Sequence, residues 1–280
     1  MSVLITGGKG QLGSELKKLL DEQQIAYVAY DSKELDITDA AAVEKTVEKI
    51  KPAIIYHCAA YTAVDTAEDE GKDMNQSVNV IGTKNIAKAA ESIGAVLVYI
   101  STDYVFDGTS QGEYKEEDPT NPQNEYGRAK LAGEQMVQKY TTKHYIIRTS
   151  WVFGEFGKNF VCTMQNLAKN HAKLTVVSDQ VGRPTWTRTL AEFMVFLTEK
   201  EADYGVYHLS NDESCSWYEF AKEILKEENV EVVPVTSAEY PQKANRPKHS
   251  IMSLEKTKAT GFNIITWKEA LAAFHASLIQ

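Results

Sequence analysis

The stretch ITGGKGQLG, residues 5–13, decides the fold, and it directly follows the apolar start of the chain. Gly8, Gly10 and Gly13 satisfy the spacing GxGxxG, and Gly7, Gly10 and Gly13 satisfy GxxGxxG. The leucines of residues 12–20 continue with helical spacing. A glycine loop between a strand and a helix suits a dinucleotide, because its pyrophosphate can approach the backbone and face free N–H groups. A plain glycine turn is the alternative.

Apolar strands and amphipathic helices alternate through the first 150 residues. Strands are predicted at SVLIT, IAYVAYD, AIIYHCAA, AVLVYIS and HYIIRTS. Thr38 or Asp39 is a candidate cap for the helix that follows it, and Gly94 is predicted to close a later helix. Continuously apolar strands separated by helices predict an α/β fold, with a Rossmann-like doubly wound parallel sheet covered on both faces.

The alternation loosens after Trp151. We predict a smaller C-terminal substrate lobe, made of about 151–184 and 213–280, that is interleaved with the first domain. The dinucleotide-binding domain would then comprise residues 1–150 and about 185–212, where WTRTLAEFMVFLTE and GVYHLS return to the main sheet as helix and strand.

The charge balance restricts the classes of partner. The 280 residues include 30 basic and 39 acidic side chains, and the net charge is −9. This balance argues against bulk attraction to nucleic acid or to an anionic membrane. An anionic ligand would need a local basic pocket.

Cysteine usage and hydropathy predict a cytoplasmic protein. The three cysteines, Cys58, Cys162 and Cys215, are scattered and form no CxxC pair. A disulfide framework or a cysteine-rich zinc site is therefore not expected. The start MSVLITGG lacks the pattern of a signal peptide, and no apolar run approaches the roughly 20 residues of a spanning helix.

Residues after the predicted strands are candidates for cofactor binding, because ligands of parallel sheets lie beyond the carboxyl ends of the strands. Asp31 ends the second strand and can accept hydrogen bonds from an adenosine ribose. It would disfavour a 2′-phosphate, whereas Lys9 and Lys33 could offset that repulsion, so NADH and NADPH both stay open. The remaining candidates are Gly7, Gly10, Gln11, Leu12, Gly13, Asp36, Ile37, Ala59, Ala60, Tyr61 and Thr62.

The segment NEYGRAK, residues 124–130, places Tyr126 and Lys130 on one helical face. An ammonium near a phenol favours phenolate, so we expect Lys130 to lower the pKa of Tyr126 and suit it to proton transfer. Ser101 and Thr102 end a central strand and could meet both side chains. The same spacing in Tyr218 and Lys222 has no glycine loop or sheet end before it, and predicts a surface helix.

Gly7, Gly10 and Gly13 together with Thr102, Tyr126 and Lys130 resemble the motif set of the extended short-chain dehydrogenase/reductases. The segment NVIGT, residues 79–83, resembles that family's helix motif, with Asn79 in a structural role. The resemblance covers nearly the whole chain. It implies an NADPH- or NADH-dependent enzyme, and many members act on nucleotide-activated sugars.

Finer motifs restrict the implied reaction. Family dehydratases carry an Asp-Glu pair after the active-site threonine, whereas this chain has Thr102-Asp103-Tyr104. The segments STDYVFDG, YGRAKLAGE, RTSWVFG and DQVGRPTWT are most similar to members that reduce a 4-keto group on a dTDP-linked sugar. By this resemblance Tyr126 would protonate the developing alkoxide, Lys130 would hold the nicotinamide ribose, and Thr102 would bind the same oxygen.

The resemblance also implies substrate contacts. Asp103 and Trp151 are expected to touch the sugar. The diphosphate needs cations, and Arg183 and Arg246 are the candidates, with Lys243 and Lys248 nearby, because arginine forks match phosphate oxygens. Solvated surface charge is the alternative for each arginine.

Some relatives bind Mg²⁺ at a subunit contact through acids from separate segments. Glu15 and Glu192 could match two of these acids, but the tail FHASLIQ offers none. We therefore predict no metal site, and either a monomer or a homodimer. His57 and His208 lie in apolar strands and are predicted to be core residues.

Two further functions stay open on the sequence. One is a catalytically quiet regulatory subunit of the same fold, which would bind a dinucleotide without turnover. The other is a sugar-nucleotide epimerase, which would retain NAD and show no net redox change.

Overall fold

The computed structural model describes residues 2–278. The strands are β1 Val3–Thr6, β2 Tyr27–Tyr30, β3 Ile54–His57, β4 Val96–Thr102, β5 His144–Thr149, β6 Val152–Phe153, β7 Lys173–Val177, β8 Val181–Gly182, β9 Thr185–Trp186, β10 Gly205–His208, β11 Cys215–Ser216 and β12 Glu231–Val235. The α-helices are α1 Gln11–Glu22, α2 Ala40–Ile50, α3 Lys72–Gln76, α4 Thr83–Ile93, α5 Glu125–Tyr140, α6 Phe160–Ala168, α7 Thr187–Glu199, α8 Trp217–Ile224, α9 Glu255–Ala259 and α10 Trp267–Ser277. Within the described part of the chain, no helix has the length and hydropathy to span a bilayer.

Six strands form one parallel sheet in the order β10-β5-β4-β3-β1-β2. The chain runs from β1 outward to β2 and then crosses back to β3 on the other side of β1. That reversal makes a crevice beyond the carboxyl ends of β1 and β3, where ligands of doubly wound sheets bind. The predicted Rossmann-like fold class is confirmed.

Local signals explain where the helices begin and end. The Asp39 carboxylate caps α2 by accepting hydrogen bonds from the backbone N–H groups of Ala41 and Ala42, as predicted. Gly94 closes α4 with φ +71°, a left-handed conformation that glycine adopts at low cost. The sequence did not predict that a π-helical stretch, Ser77–Gly82, would precede α4.

Two apolar clusters cover the two faces of the sheet. On one face the core includes Ile5, Tyr56 and Ile147 together with Leu16 of α1 and Phe193 of α7. The other face is packed by residues from β1, β3, β4, α2, α4 and α5. Both faces are dry, which explains why the strands read as continuously apolar rather than alternating.

The segment α7 and β10 returns to the main sheet, as predicted. β10 pairs with β5 at the edge, and α7 packs beside α1. A third apolar cluster lies among later residues and includes Phe153, Phe220, Trp267 and Phe274. The division of the chain into a dinucleotide domain and a substrate lobe at the stated boundaries stays a prediction.

A buried ion pair joins α5 to β5. The guanidinium of Arg148 donates to both carboxylate oxygens of Glu134, at 2.9 and 2.8 Å, and both side chains are nearly inaccessible to water. Arg148 also donates to the Glu116 carbonyl and lies over the Phe106 ring. A buried pair of this kind costs desolvation but fixes the helix against the strand.

Replacing Arg148 with Met should destabilise the protein by about 3–5 kcal/mol, because Glu134 would be left buried without a counter-charge. Urea denaturation measures this change. The double variant Arg148→Met/Glu134→Gln should recover part of the loss. Lys226→Met, which breaks an exposed pair with Glu223, is the matched control and should cost at most about 1 kcal/mol. Equal losses for the two single variants would contradict the expectation.

Candidate active site

The glycine loop approaches the neighbouring strand end so closely that side chains cannot be added. Gly7 has φ +71°, and a Cβ there would lie 2.7 Å from the Ala59 nitrogen. A Cβ on Gly13 would lie 2.2 Å from the Gly7 carbonyl oxygen. Helix α1 begins immediately after Gly10, so its first N–H groups point toward the crevice without a side-chain cap. The loop therefore has the form that cradles a pyrophosphate.

A cavity of about 560 Å³ opens at the carboxyl edge of the sheet, next to this loop. Its walls come from the glycine loop, the ends of β3, β4 and β5, and the first turns of α5. The predicted residues that line it are Gly10, Gln11, Leu12, Ala59, Ala60, Thr62, Thr102, Asp103, Tyr126, Lys130 and Trp151.

The three residues predicted to be catalytic, Thr102, Tyr126 and Lys130, all line this cavity. Asn124 caps α5 by accepting from the Gly127 N–H at 2.7 Å. Gly127 in turn lets the first turn of α5 press against the loop after β4, since a Cβ there would lie 2.3 Å from the Tyr104 carbonyl oxygen. This close contact brings the α5 side chains beside the end of β4.

Asp103 is buried between Thr102 and the first turn of α5. Its Oδ1 accepts from the Thr102 hydroxyl at 3.0 Å, while its buried Oδ2 has no hydrogen-bond partner among residues 2–278. Burial raises the pKa of Asp103 to about 6, and hydrogen bonds from Ser250 and Thr102 oppose that rise. A buried carboxylate oxygen without a partner on the wall of a cavity suits a ligand hydroxyl.

The expectation that Lys130 lowers the pKa of Tyr126 is wrong. Burial, the Asp103 charge and the neighbouring Tyr104 raise the pKa of Tyr126 above its usual value, and the Thr102 hydroxyl alone opposes them. The Lys130 ammonium lies over the ring of Tyr99. Tyr126 is therefore a phenol that keeps its proton at neutral pH.

Burial lowers the pKa of Lys130 to about 7, and the charge of Glu134 is the largest influence that opposes that fall. Lys130 is thus far easier to deprotonate than an ordinary lysine. A strongly perturbed amine beside a phenol at a sheet edge is typical of a functional site.

The second Tyr/Lys pair differs in its surroundings, as predicted. On α8, Tyr218 is half-buried and Lys222 is exposed, with the amine 5.6 Å from the ring centroid. Neither residue lines the cavity at the sheet edge. The spacing alone does not distinguish the two copies.

Several predicted cofactor residues, including Asp31, Asp36 and Ile37, do not line the cavity. Asp31 follows β2 and pairs with Lys9 at 2.5 Å, which holds its pKa below the usual range. The Asp36 carboxylate accepts from Thr38, and Ile37 packs against Gly82. Their contact with an adenosine stays a prediction.

Tyr61 is directed away from the cavity. Its backbone exchanges two hydrogen bonds with the Asn79 side chain, and its hydroxyl occupies the space that a Cβ on Gly71 would need. The structural role predicted for Asn79 is confirmed, because it fixes the chain after β3. The neighbours Ala60 and Thr62 reach the cavity instead.

Trp151 separates the cavity at the sheet edge from a second one. It adopts φ +48° and stacks on Trp217 with ring centroids 3.7 Å apart and an interplanar angle of 13°. Trp151 lines the first cavity, and Trp217 lines the second, which has a volume of about 340 Å³. A tryptophan in the left-handed backbone conformation is unusual, and the stack on Trp217 helps to hold Trp151 in it.

The two predicted phosphate-binding arginines occupy different surroundings. Arg246 lines the second cavity and pairs with Asp65 through both terminal nitrogens, at 3.0 and 2.7 Å. Arg183 lines neither cavity, because its guanidinium is buried against Glu113 and the Met252 carbonyl. The placement of Arg183 therefore gives no support to its predicted phosphate contact.

The structure adds residues that the sequence reading missed. The cavity is also lined by Thr149 at the end of β5, by Ser150 directly after it, and by Gly157 and Lys158 in the loop after β6. Lys158 places a cation on the wall of this cavity in an acidic protein. His57 also borders the cavity, and its two hydrogen bonds to Thr6 and Thr83 agree with the core role predicted.

Glu15 and Glu192 both lie near the guanidinium of Arg188, at 3.9 and 2.7 Å. Within residues 2–278 no group of three or more His, Cys, Asp or Glu side chains could hold a metal ion. The last two residues of the tail FHASLIQ lie outside the described range.

Fold and cavity together define a Rossmann-type oxidoreductase of the short-chain dehydrogenase/reductase class. A family model described as the RmlD substrate binding domain matches residues 1–279, and the chain belongs to that family.

Relatives agree over nearly the full length. A dTDP-4-dehydrorhamnose reductase of Aggregatibacter actinomycetemcomitans is 42% identical in an alignment 289 residues long, gaps included, which covers 98% of each chain. The crystal structure of a dTDP-4-dehydrorhamnose reductase from Bacillus anthracis in complex with NADP is 43% identical, with a TM-score of 0.95 over 99% of each chain. The crystal structure of a dTDP-4-dehydrorhamnose reductase from Clostridium acetobutylicum is also 43% identical, with a TM-score of 0.96 over the whole of each chain.

Replacing Gly13 with Ala should weaken dinucleotide binding at least tenfold, because the added methyl group would collide with the Gly7 carbonyl and displace the loop. Fluorescence titration with NADP⁺ and NAD⁺ measures the change. Gly112→Ala is the matched control, since nothing lies within 4 Å of a Cβ there. Unchanged affinity in the Gly13 variant would refute the assignment of the loop.

Proposed function

We infer that this protein is an NAD(P)H-dependent reductase that converts dTDP-4-dehydro-L-rhamnose into dTDP-L-rhamnose. The observation that carries this function is the convergence of Thr102, Tyr126 and Lys130 on one cavity beside the glycine loop. The product supplies deoxysugar nucleotide for cell-surface polysaccharide. The full-length relatives that carry this activity in their names support the choice of substrate.

The residues of the cavity fit a nicotinamide dinucleotide. Gly7, Gly10 and Gly13 leave room for a pyrophosphate at the start of α1, and the buried oxygens of Gln11 and Ser101 have no partner within residues 2–278. Such orphaned polar atoms on a cavity wall suit a polar ligand. When bound, the cofactor supplies the hydride that the carbonyl carbon accepts. The NADP complex of a relative supports NADPH, and the Asp31–Lys9 pair leaves NADH open.

The second cavity is suited to the nucleotide half of the substrate. Its walls combine aromatic and aliphatic side chains, among them Phe160, Met164 and Trp217, with the cation of Arg246. A flat base can stack on such a wall, and a diphosphate can reach the guanidinium fork. The sugar would then lie at the Trp151 side of the partition, facing Asp103 and Thr102.

The raised pKa of Tyr126 suits reduction. A carbonyl that gains a hydride becomes an alkoxide, and this alkoxide needs a proton from a group that still holds one at neutral pH. The Tyr126 phenol is that donor, and the Thr102 hydroxyl can donate a hydrogen bond to the same oxygen. The Lys130 ammonium would stabilise the phenolate left behind, and it would also hold the nicotinamide ribose. Donors fixed in a dry cavity are worth several kcal/mol, about 3 for one donor.

A coupled assay distinguishes this function from the two alternatives. The purified protein is mixed with NADPH or NADH and a panel of 4-keto sugar nucleotides, including the dTDP-linked substrate, and absorbance at the nicotinamide band is followed. Net oxidation with dTDP-4-dehydro-L-rhamnose is expected. Dinucleotide binding without turnover on any member would favour a regulatory subunit, and sugar isomerisation without net oxidation would favour an epimerase.

Tyr126→Phe should lower kcat by at least about 100-fold while the dissociation constant for NADP⁺ stays within about twofold, because only the transferable proton is removed. Steady-state kinetics and cofactor titration measure both quantities. Tyr218→Phe, in the second Tyr/Lys pair, is the matched control and should retain full turnover. Near-normal kcat in the Tyr126 variant would refute the assigned proton donor.

Arg246→Met should raise the KM for the dTDP-sugar about tenfold without changing the affinity for NADP⁺, because the second cavity would lose its guanidinium. Lys226→Met is the control, since Lys226 forms an exposed ion pair with Glu223 in the same part of the chain. An unchanged KM in the Arg246 variant would contradict the placement of the diphosphate there.

A further inference from the structure

The ammonium of Lys130 rests on an aromatic face. Its Nζ lies 4.1 Å from the centroid of the Tyr99 ring. Tyr99 is in β4, three residues before Thr102, and its side chain is fully buried. Lys130 itself is 2% exposed, so little water reaches the contact. A cation over an aromatic face is attracted by the ring quadrupole, and the attraction grows when water is excluded.

Within residues 2–278, no carboxylate oxygen lies within 4 Å of the Lys130 nitrogen. Glu134 lies one turn further along α5, but both of its oxygens are engaged by Arg148, at 2.9 and 2.8 Å. The Tyr99 ring is therefore the direct contact that stabilises the charged amine, and Glu134 acts from a distance.

Three contacts hold the Tyr99 ring in place under the amine. Its hydroxyl donates to the Lys130 carbonyl oxygen at 3.3 Å. The His57 ring lies 5.7 Å away on a tilt of 30°. Gly133 makes room for the hydroxyl, because a Cβ there would lie 2.3 Å from it. Strand, ring and helix are thus fixed together.

We propose that Tyr99 is a positioning residue of the reductase, whose aromatic face keeps the Lys130 ammonium charged and directed into the cavity. This inference rests on the proposed function. Tyr99 does not touch the reacting atoms, and it acts through Lys130 alone. The ring face carries the effect, and the phenolic hydroxyl contributes only a contact to the backbone.

The other groups around Lys130 do not replace the ring. On its own helix it is faced by Tyr126, which keeps its proton, and by the paired Glu134. From the end of β3 it is faced by His57, whose pKa burial lowers to about 3, and by Cys58, whose pKa burial raises to about 12. Both are neutral near pH 7, so the Tyr99 ring is the direct contact that favours the charged amine, and the Glu134 charge adds to it from a distance.

The sign of the pH effect follows from this arrangement. The Lys130 charge is present below its pKa and is lost as the pH rises through that value. Attraction to the ring favours the charged form and raises the pKa. Weakening the attraction between the Tyr99 ring and the Lys130 ammonium should therefore shift the alkaline limb, the pH range over which activity and NADP⁺ binding fall as the pH rises, to lower pH.

The experiment replaces Tyr99 with phenylalanine, trifluorophenylalanine or pentafluorophenylalanine by nonsense suppression, in the full-length protein. Fluorine withdraws charge from the ring face with little change in volume, so the fold is retained, which circular dichroism checks. The readouts are kcat/KM for ketosugar reduction against pH, and NADP⁺ affinity against pH. The Tyr99→Phe variant should keep the alkaline limb of the unsubstituted protein. Pentafluorophenylalanine should move it down by roughly one pH unit, and should weaken NADP⁺ binding about tenfold above the limb.

The same three substitutions at position 145 form the matched control. Tyr145 is a buried ring in the adjacent strand β5, its hydroxyl donates to the Ala202 carbonyl, and none of the described lysines lies over it. Fluorination there should move neither readout. Identical pH profiles for phenylalanine and pentafluorophenylalanine at position 99 would overturn the proposal. The binding series needs no turnover, so it tests Tyr99 even if the ketosugar assay shows the proposed function to be wrong.

Discussion

Parallel pairing of the central strands is the constraint on which the rest of this molecule depends. In a parallel sheet every carboxyl end lies at the same edge, so residues far apart in the chain meet there. For this reason one cavity is lined by residues at or just after the ends of different strands, namely Gly10, Ala60, Thr102 and Trp151. The reversal of strand order between β1 and β3 opens the crevice, and the glycine loop allows a dinucleotide to approach it.

Close backbone contacts convert that edge into a reaction site. Gly127 allows α5 to press against the loop after β4, and the buried pair of Glu134 with Arg148 joins the same helix to β5. The helix that carries Tyr126 and Lys130 is therefore fixed both to the loop after β4 and to β5. Trp151 lines this cavity and stacks on Trp217, which lines the second, more apolar cavity.

Water exclusion governs the proton chemistry of the cavity. Burial raises the pKa of Tyr126 and lowers that of Lys130, so both groups shift toward their neutral forms. A phenol that keeps its proton suits reduction, whereas an amine must stay charged to help. The Tyr99 ring favours the charged form of Lys130 without a carboxylate. A carboxylate at that place would raise the pKa of the Tyr126 phenol further.

The sequence by itself determined the fold class and most of the wall of the cavity, because strand periodicity, the glycine spacing and helix caps are local signals. Tyr126 was separable from Tyr218 because a strand end and a glycine loop precede it. Only the tertiary structure decided which charges touch. Arg183 pairs with Glu113, the Tyr61 hydroxyl lies against Gly71, and the Lys130 ammonium lies over the Tyr99 ring. Such contacts depend on packing between distant segments and on the loss of water, and neither is encoded in the spacing of residues along the chain.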